Sequence, residues 1–357
     1  MIGGPKTPGG RASRIVRPSA TVDDVARLAG VSRATVSRVA NASPNVLPDT
    51  RRIVERAIAE LGYVPNRAAR SLMTKRTELV GVVILEPADR LFGDPYFGQL
   101  LLGISEGLAA RDFQLVLLMA PSPREEQRVA GYLESGHVDG AIFIGPHGED
   151  PLPSRLAAAG LPVVINGRPT PAPGISFVDA DNRGGARLAV EHLLGAGRRR
   201  IATIHGTLDL ASGRDRLDGY HDGLWAAGVD GDPQMERAGN FSGRVAGAAM
   251  ERLLAQVPDL DAVFAASDSM ASSAVRVLQA AGRRIPEDVA VVGFDDTPVA
   301  VAVEPPLTTV RQPIPSMGRE MARLLLQRLD QPELAPSHVI FPTELVVRRS
   351  SVSQGTT

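Results

Sequence analysis

The sequence contains no cysteine, and it has no apolar run of the roughly 18 residues that a membrane-spanning helix requires. The absence of cysteine excludes disulfides, thiolate nucleophiles and cysteine-ligated metals. The six histidines lack metal-ligand spacing, and neither a GxSxG motif nor a Walker loop is present. We therefore expect a protein that is not an enzyme and that uses no metal and no cofactor.

The first residues also lack the apolar segment of a secretion signal. Residues 1–20 are rich in Gly, Pro and Arg, and we predict that they form a disordered basic tail. Together with the missing cysteines, this composition favours a cytoplasmic protein. The basic character of the tail suggests association with the nucleoid.

Charge is distributed unevenly along the chain. Residues 1–76 hold 14 Lys and Arg against 5 Asp and Glu, a net charge of +9, while the remainder holds 25 against 35, a net charge of −10. A basic segment joined to an acidic body is typical of a protein that contacts polyphosphate at one end only. A basic tail without any partner would give the same distribution, so charge alone leaves both interpretations open.

The pattern of apolar residues changes near residue 79. From there β-rich runs alternate with amphipathic segments of helical period, which is typical of parallel sheets covered by helices on both faces. The predicted strands are 79–85, 114–119, 140–144, 162–165, 175–178, 200–205, 262–266 and 289–294, with late candidates at 308–310 and 339–347. Two such α/β units fit the length of 357 residues.

We therefore predict an N-terminal all-α domain followed by an α/β body of two doubly wound parallel-sheet subdomains, similar to periplasmic binding proteins. The predicted division is a tail at 1–20, the all-α domain at 21–64, a linker at 65–77, a body at 78–349 and a tail at 350–357. Within the body, we assign 78–179 plus 309–332 to the first subdomain and 180–308 plus 333–349 to the second.

Residues 21–39 have the anatomy of a helix-turn-helix. Gly30 lies at the turn, where a left-handed backbone costs little only for glycine. The apolar residues that would hold the helices together are Val25, Ala29, Val31, Val36 and Val39. The residues that would project from one face of the second helix are Arg33, Ala34, Ser37 and Arg38. In a major groove, Arg reads guanine and Ala contacts a thymine methyl; a small helical bundle with a solvated basic face remains the alternative.

Two segments, VDDVARLAGVSRATVSRVAN and TRRIVERAIAELGYVPNRAARSLMTKRTELVGVV, resemble the LacI/GalR family of bacterial regulators, and the resemblance extends from residue 21 to about 349. It implies a homodimeric repressor, or less often an activator, that binds double-stranded operator DNA of pseudopalindromic sequence. It also implies that a hinge helix at 66–73 enters the minor groove and that Leu72 wedges into the central base step. No heptad-patterned segment follows Arg349, so we expect a dimer rather than a tetramer.

The same resemblance assigns roles to individual residues of the DNA-binding domain. Arg33 and Ala34 correspond to the family's principal base-reading positions, and Arg38 to a third base or phosphate contact. The positions that contact phosphates in the family are Thr21, Ser32, Thr35 and Asn41. Tyr63 and Asn66 correspond to residues that position the backbone near the hinge.

The body is expected to bind a small ligand in the cleft between its subdomains, at the carboxyl ends of the strands. Polar and aromatic residues that follow the predicted strands are Asp94, Tyr96, Phe97, Asn166, Arg168, Ser267 and Asp295. The resemblance adds Arg216 and Phe241. Carboxylates and guanidinium groups suit vicinal hydroxyls, and aromatic rings suit the apolar face of a sugar, so we predict a sugar or a sugar derivative as effector.

Several alternatives remain open at this level. One alternative is a regulator of the same family that responds to a nucleobase or nucleoside. The other is a solute-binding protein, which would need a secretion signal and would not carry a basic helix-turn-helix. Asp181 and Asp268 precede helices and suit N-caps as well as ligand contacts. Asp296 suits a loop brace, and we favour Asp295 for the site. Trp225 lies at core spacing on a helix, which predicts packing.

Overall fold

A computed structural model of the chain describes residues 20–40, 45–64, 76–148, 150–169 and 174–352. The chain folds as two units, residues 1–77 and residues 78–357. Among the predicted DNA contacts, Asn41, Asn66 and Leu72 lie outside the described residues, as do most of the predicted hinge and the N-terminal tail. In the described ranges, no helix combines the length and apolarity needed to cross a bilayer.

The first unit contains the helices α1 (Val22–Ala29), α2 (Arg33–Ala40) and α3 (Pro48–Leu61). A capping box starts α1, because the Thr21 hydroxyl accepts from the Asp24 amide at 3.3 Å and the Asp24 carboxylate accepts from the Thr21 amide at 3.0 Å. α1 ends at Gly30, whose φ of 65° is the left-handed conformation that the sequence predicts there.

A small apolar core holds the three helices together. Its buried side chains are Val25, Ala26, Val36, Val39, Val54 and Ala57. Ala29 and Val31 are partly buried against it, so the apolar set predicted from the sequence does lie inside. Since α2 turns Val36 and Val39 inward, its opposite face is left to solvent.

The body consists of two sheets. The strands are β1 (Leu79–Ile84), β2 (Gln114–Met119), β3 (Gly140–Ile144), β4 (Val163–Asn166), β5 (Ser176–Ala180), β6 (Ile201–His205), β7 (Glu236–Ala238), β8 (Ala262–Ala265), β9 (Ala290–Asp295), β10 (Thr308–Arg311), β11 (His338–Phe341) and β12 (Glu344–Val346). The first sheet has the order β11-β5-β4-β3-β1-β2 and is parallel throughout. The second has the order β12-β10-β9-β8-β6-β7 and is parallel except for β12.

Helices cover both faces of each sheet, as the continuous apolar strands require. The helices are α4 (Ala88–Gly93), α5 (Pro95–Ala109), α6 (Pro123–Glu134), α7 (Leu152–Ala158), α8 (Asn182–Gly195), α9 (Ala211–Ala226), α10 (Gly243–Gln256), α11 (Asp268–Ala280), α12 (Pro298–Ala302) and α13 (Ile314–Asp330). On the first sheet, α5 and α13 share a core on one face, and α6 and α7 share a core on the other. On the second, α10 and α11 lie opposite α8 and α9.

The end of the chain divides between the sheets differently from the prediction. β10 pairs with β9 in the second sheet and β11 pairs with β5 in the first, whereas the sequence put 309–332 in the first subdomain and 333–349 in the second. The single predicted strand at 339–347 is two strands in different sheets. Pro342 separates them, since proline cannot donate to a ladder. The assignment of α13 to the first sheet agrees with the prediction.

Trp225 is the other departure, because its side chain is 83% exposed rather than packed. The buried face of α9 contains Gly219, Tyr220, Gly223 and Leu224. A Cβ at Gly219 would lie 2.2 Å from the Arg183 carbonyl oxygen of α8. The glycines therefore bring the two helices together on a face that excludes the indole.

Candidate functional sites

The exposed face of α2 carries the residues predicted to read bases. Arg33, Ala34 and Arg38 are exposed, and Ser37 is half-buried. The Arg33 guanidinium forms an ion pair with Asp23 of α1, with 3.0 Å between Nε and Oδ1. This face is polar and basic, and the small side chain of Ala34 leaves room for close approach.

The described residues predicted to contact phosphates lie at helix starts, and Tyr63, predicted to position the backbone near the hinge, lies against the core. The Ser32 hydroxyl accepts from the Thr35 amide at 3.2 Å and lies 2.9 Å from the Thr35 hydroxyl, so it caps α2. Thr21 caps α1 in the same way. Tyr63 is half-buried against the apolar core.

A cavity lies in the body, at the carboxyl ends of strands from both sheets, and its empty space is about 700 Å³ when the part open to solvent is included. It brings together eight of the nine predicted effector contacts: Asp94, Tyr96, Phe97, Asn166, Arg168, Arg216, Phe241 and Asp295. Polar residues that line the cavity in addition to these eight are Glu86, Arg90, Asp179, Asn182, Ser212 and Gln312, of which Asp179 follows a predicted strand.

Ser267 is the predicted contact that does not line this cavity. Its hydroxyl accepts from the Met270 amide at 3.3 Å and thereby caps α11. Asp181 caps α8 by accepting from the Gly184 amide at 2.9 Å. A hydroxyl or carboxylate directly before a helix is thus taken up by the helix start.

Asp268 and Asp296 brace loops. The Asp268 carboxylate accepts from the Thr297 amide at 2.7 Å and from the Thr309 hydroxyl. Asp296 pairs with Arg311 and Arg348, each at 2.6 Å. Of the adjacent residues Asp295 and Asp296, only Asp295 lines the cavity.

Arg216 of α9 is buried and tied into the second subdomain. Its Nε donates to the Asn182 side-chain oxygen at 2.8 Å, and its Nη1 donates to the Ala266 carbonyl at 2.6 Å and to Asp295 at 3.2 Å. Its Cζ lies 3.7 Å from the centre of the Phe294 ring. Such a network fixes the orientation of the guanidinium in the absence of ligand.

Asp295 completes this network. Besides Arg216, its carboxylate accepts from Gln312 Nε2 at 2.6 Å. Burial raises the pKa of Asp295 to about 7, and the positive charge of Arg216 opposes the shift. Its backbone has a φ of 111°, a strained conformation that is often found at binding sites.

Phe241 lies between the two subdomains. Arg90 of the first subdomain and Arg216 of the second lie over its ring, 4.9 and 5.6 Å from its centre. A Cβ at Gly206 would come within 2.1 Å of this ring, so glycine is required there. Phe241 and the preceding Asn240 both have a positive φ, 53° and 50°.

On the side of the first subdomain, Tyr96 and Phe97 meet edge to face with their ring centres 5.5 Å apart. The Tyr96 hydroxyl donates to the Asn166 side-chain oxygen at 2.9 Å. Asp94 caps α5 by accepting from the Tyr96 amide at 3.1 Å, and burial raises the pKa of Asp94.

Two buried polar atoms of the cavity wall have no hydrogen-bond partner within the described part of the chain. They are Arg90 Nε and Asp179 Oδ2. Arg90 forms a close ion pair with Glu86 through Nη1, and Asp179 accepts from Asn182 through its other oxygen at 2.9 Å. Asp179 Oδ2 also lies 3.6 Å from Arg168 Nε, so both charged groups are ion-paired at the cavity wall.

Two side-chain pairs span the cleft. Arg168, which follows β4, forms a close ion pair with Asp215 of α9. His147, which follows β3, lies 3.3 Å from Asp209 of the second subdomain and 3.1 Å from Glu86 of the first. These carboxylates raise the pKa of His147, with Glu86 contributing most.

Comparison with known proteins places these features in context. Residues 21–66 match the family described as bacterial regulatory proteins, lacI family, and residues 190–351 match the periplasmic binding protein-like domain. The HTH-type transcriptional regulator CelR of Thermobifida fusca is 50% identical over 332 residues, which are 92% of this chain and 98% of that protein. The ribose operon repressor of Escherichia coli K12 is 35% identical over 338 residues, 93% of this chain and 100% of the repressor.

Two solved structures are similar over nearly the whole chain. The complex of the transcriptional regulator CelR with cellobiose has a TM-score of 0.75 at 48% identity, covering 93% of this chain and 99% of that one. The lac repressor dimer bound to operator and an anti-inducer has a TM-score of 0.82 at 30% identity, covering 94% and 99%.

Proposed function

From the premise that this chain belongs to the lacI family of bacterial regulatory proteins and is a DNA-binding transcription regulator, we propose that it is a homodimeric repressor whose effector is a neutral β-linked disaccharide of the cellobiose class. The observation that carries the proposal for the ligand is the lining of the cavity, in which carboxylate and guanidinium groups of nearly balanced charge lie beside aromatic rings. The protein would act in the cytoplasm, where its DNA target lies.

At the DNA end, the exposed face of α2 enters the major groove of each half-site. Arg33, Ala34 and Arg38 contact bases, and Thr21, Ser32 and Thr35 lie near phosphates at the helix starts. A two-fold symmetric dimer requires a pseudopalindromic operator. The hinge at 65–77, which contains Leu72, connects the DNA-binding domain to the body.

Charge in the cleft favours a neutral ligand. Four carboxyl groups and three guanidinium groups line the cavity. Arg216 and Arg90 are already paired, with Asp295 and Glu86 respectively. A sugar phosphate or nucleotide would therefore meet no unpaired cation in either place, and its charge would be buried at a cost.

The mixture of acceptors and donors in the cavity favours hydroxyl groups. A hydroxyl both donates and accepts, so sugar hydroxyls suit both the carboxylates and the guanidinium groups that line the cavity. A nucleobase would instead need an aromatic face on which to stack. Tyr96 and Phe97 meet edge to face, and both arginines lie over Phe241. The similarity to a CelR whose complex contains cellobiose supports the disaccharide class.

Regulation follows if the ligand favours one arrangement of the two subdomains over another. The pairs Arg168–Asp215 and His147–Asp209 join the subdomains at the cleft. Their geometry depends on the angle between the subdomains, and so does the spacing of the two hinges in a dimer. Coupling of this kind requires different ligand affinities in the two states.

Calorimetry on the full-length protein tests the proposal. Cellobiose, glucose, glucose 6-phosphate and adenine are titrated separately, and each is then added to the protein on an operator duplex that the protein itself has selected from a random pool. We expect cellobiose to bind more tightly than the other compounds and to release the operator. Tight binding of adenine or glucose 6-phosphate without binding of cellobiose would contradict the proposed ligand class.

A further inference from the structure

Arg33 is not free on the surface of α2. Its Nε lies 3.0 Å from Oδ1 of Asp23, a residue of the first turn of α1, and the two side chains are 69% and 50% exposed. The contact joins the two helices of the helix-turn-helix. The neighbouring Asp24, by contrast, serves the capping box with Thr21 and pairs with Arg27.

An acidic residue at this place requires an explanation. Asp23 adds a negative charge beside the face that is proposed to meet polyphosphate, where it weakens binding to any DNA. As a surface ion pair it also contributes little to folding stability. Asp23 also stabilises the start of α1 as an acidic residue of its first turn, but that effect needs no contact with Arg33 and so does not account for the Asp23–Arg33 pair.

We infer that Asp23 is a positioning residue that sets base specificity by holding Arg33 for guanine. The carboxylate lies at the Nε edge of the guanidinium, which leaves the terminal Nη1 and Nη2 atoms available. Two parallel donors of this kind match O6 and N7 of guanine in the major groove. The inference rests on the proposed base-reading role of Arg33.

The restraint acts through conformational freedom. A solvated arginine samples many rotamers, and most of them are lost when it binds a base. Asp23 removes part of that freedom before DNA binds. This lowers the entropy lost on binding only for the orientation in which Arg33 reads guanine. The Asp23 charge weakens binding to all sequences alike, whereas its restraint strengthens binding to guanine-containing sites. The effect of the charge therefore cancels in the ratio of specific to non-specific affinity, whereas the restraint raises that ratio.

Operator selection followed by anisotropy titrations with the full-length protein tests this inference. Wild-type protein selects a duplex from a random pool, and Kd is then measured for that duplex, for versions with each base pair changed, and for an unrelated duplex. In the Asp23→Asn variant we expect discrimination at the guanine read by Arg33 to fall about tenfold, a fraction of what a bidentate Arg–guanine pair supplies. Affinity for the unrelated duplex should stay constant or rise.

Two further variants make the outcomes distinct. Asp49→Asn removes the same charge from the exposed Asp49–Arg52 pair of α3, and we expect it to change all affinities alike. Arg33→Ala identifies the base pair that Arg33 reads. If Arg33→Ala abolishes discrimination there while Asp23→Asn changes affinities uniformly, as Asp49→Asn does, the inference is wrong and base reading by Arg33 stands. If Arg33→Ala leaves every preference unchanged, the base-reading role fails and the inference fails with it.

Discussion

The two subdomains of the body share a strand order but present different walls to the cleft. In the second subdomain, Arg216 and Asp295 have hydrogen-bond partners around them, from Asn182, Ala266 and Gln312. In the first subdomain, Arg90 Nε and Asp179 Oδ2 have none within the described residues. In the second wall the buried charged groups are thus held by a hydrogen-bonded network, whereas in the first wall Arg90 and Asp179 are held by ion pairs with Glu86 and Arg168.

This difference suits two halves that move against each other. In the described residues the chain passes between the sheets after β5, after β10 and between β11 and β12. Three crossing segments can act as a hinge between the two subdomains, while the two edges of the cleft remain free to approach each other. Under the proposed function, the networked second wall would hold the ligand first, and contacts formed with the first wall on closure would supply the differential affinity that regulation needs.

Arg216→Ala should produce the largest effect, because it removes the centre of the networked second wall. It leaves Asp295 buried beside an unpaired carbonyl and amide, so we expect a loss of stability of about 3–5 kcal/mol, as for breaking a buried ion pair. Binding of cellobiose should fall more than about 100-fold with the loss of several charge-assisted contacts. Urea unfolding and calorimetry measure the two quantities.

The control for that change is Arg183→Ala, which breaks the exposed pair with Asp222 on the surface of α8 and α9. Its cost in stability should be below about 1 kcal/mol, with ligand binding unchanged. Operator binding per folded molecule should survive in both variants. An Arg216→Ala protein with a normal ligand titration would remove Arg216 from the effector site.

Asp179→Asn tests the first wall, where the Asp179 carboxylate accepts from Asn182 at 2.9 Å and lies 3.6 Å from Arg168 Nε. Burial raises the pKa of Asp179, so the charge costs stability in the empty protein. We expect the variant to be at least as stable as the wild type, while cellobiose affinity falls about 10- to 100-fold with the loss of a hydrogen bond to a charged group. A variant that loses stability but keeps its ligand affinity would show that Asp179 has a structural role instead.

Much of this architecture can be predicted from the sequence, for reasons visible in particular elements. β2 and β3 have the predicted bounds, because apolar runs are interrupted sharply where the chain leaves the sheet. β7 could not be predicted: Glu-Arg-Ala is three residues at a sheet edge without any apolar pattern. Pro342 was the available sign that the predicted strand at 339–347 divides.

The cleft could be predicted in part. The rule that ligands bind at the carboxyl ends of parallel strands finds residues such as Asn166 and Asp295, which end β4 and β9. It does not find Arg90, which lies on the six-residue helix α4 without a periodic signal, or Gln312, whose role depends on its bond to Asp295. Ser267 follows the rule by position, but its hydroxyl is used by the start of α11.

The smallest expected effect concerns pH, because it depends on a half-buried contact between the walls. Glu86 and then Asp209 raise the pKa of His147 above its ordinary value of 6.5. A raised pKa means that the protonated ring stabilises the contact fully below 6.5, and that this stabilisation is lost as pH rises through the raised value. Cleft closure, and with it cellobiose affinity, should therefore be stronger at pH 6 than at pH 8.5.

His147→Gln isolates this contribution. Asp295, whose pKa burial raises to about 7, titrates over the same range in both proteins, so the difference between their pH profiles reports His147. We expect wild-type affinity to fall about two- to fivefold more than that of the variant between pH 6 and 8.5, which is modest because the ring and Asp209 are partly exposed to solvent. Parallel profiles would mean that the His147–Asp209 contact does not help the two walls to close. Closure would then depend on the contacts that the ligand itself makes with both walls.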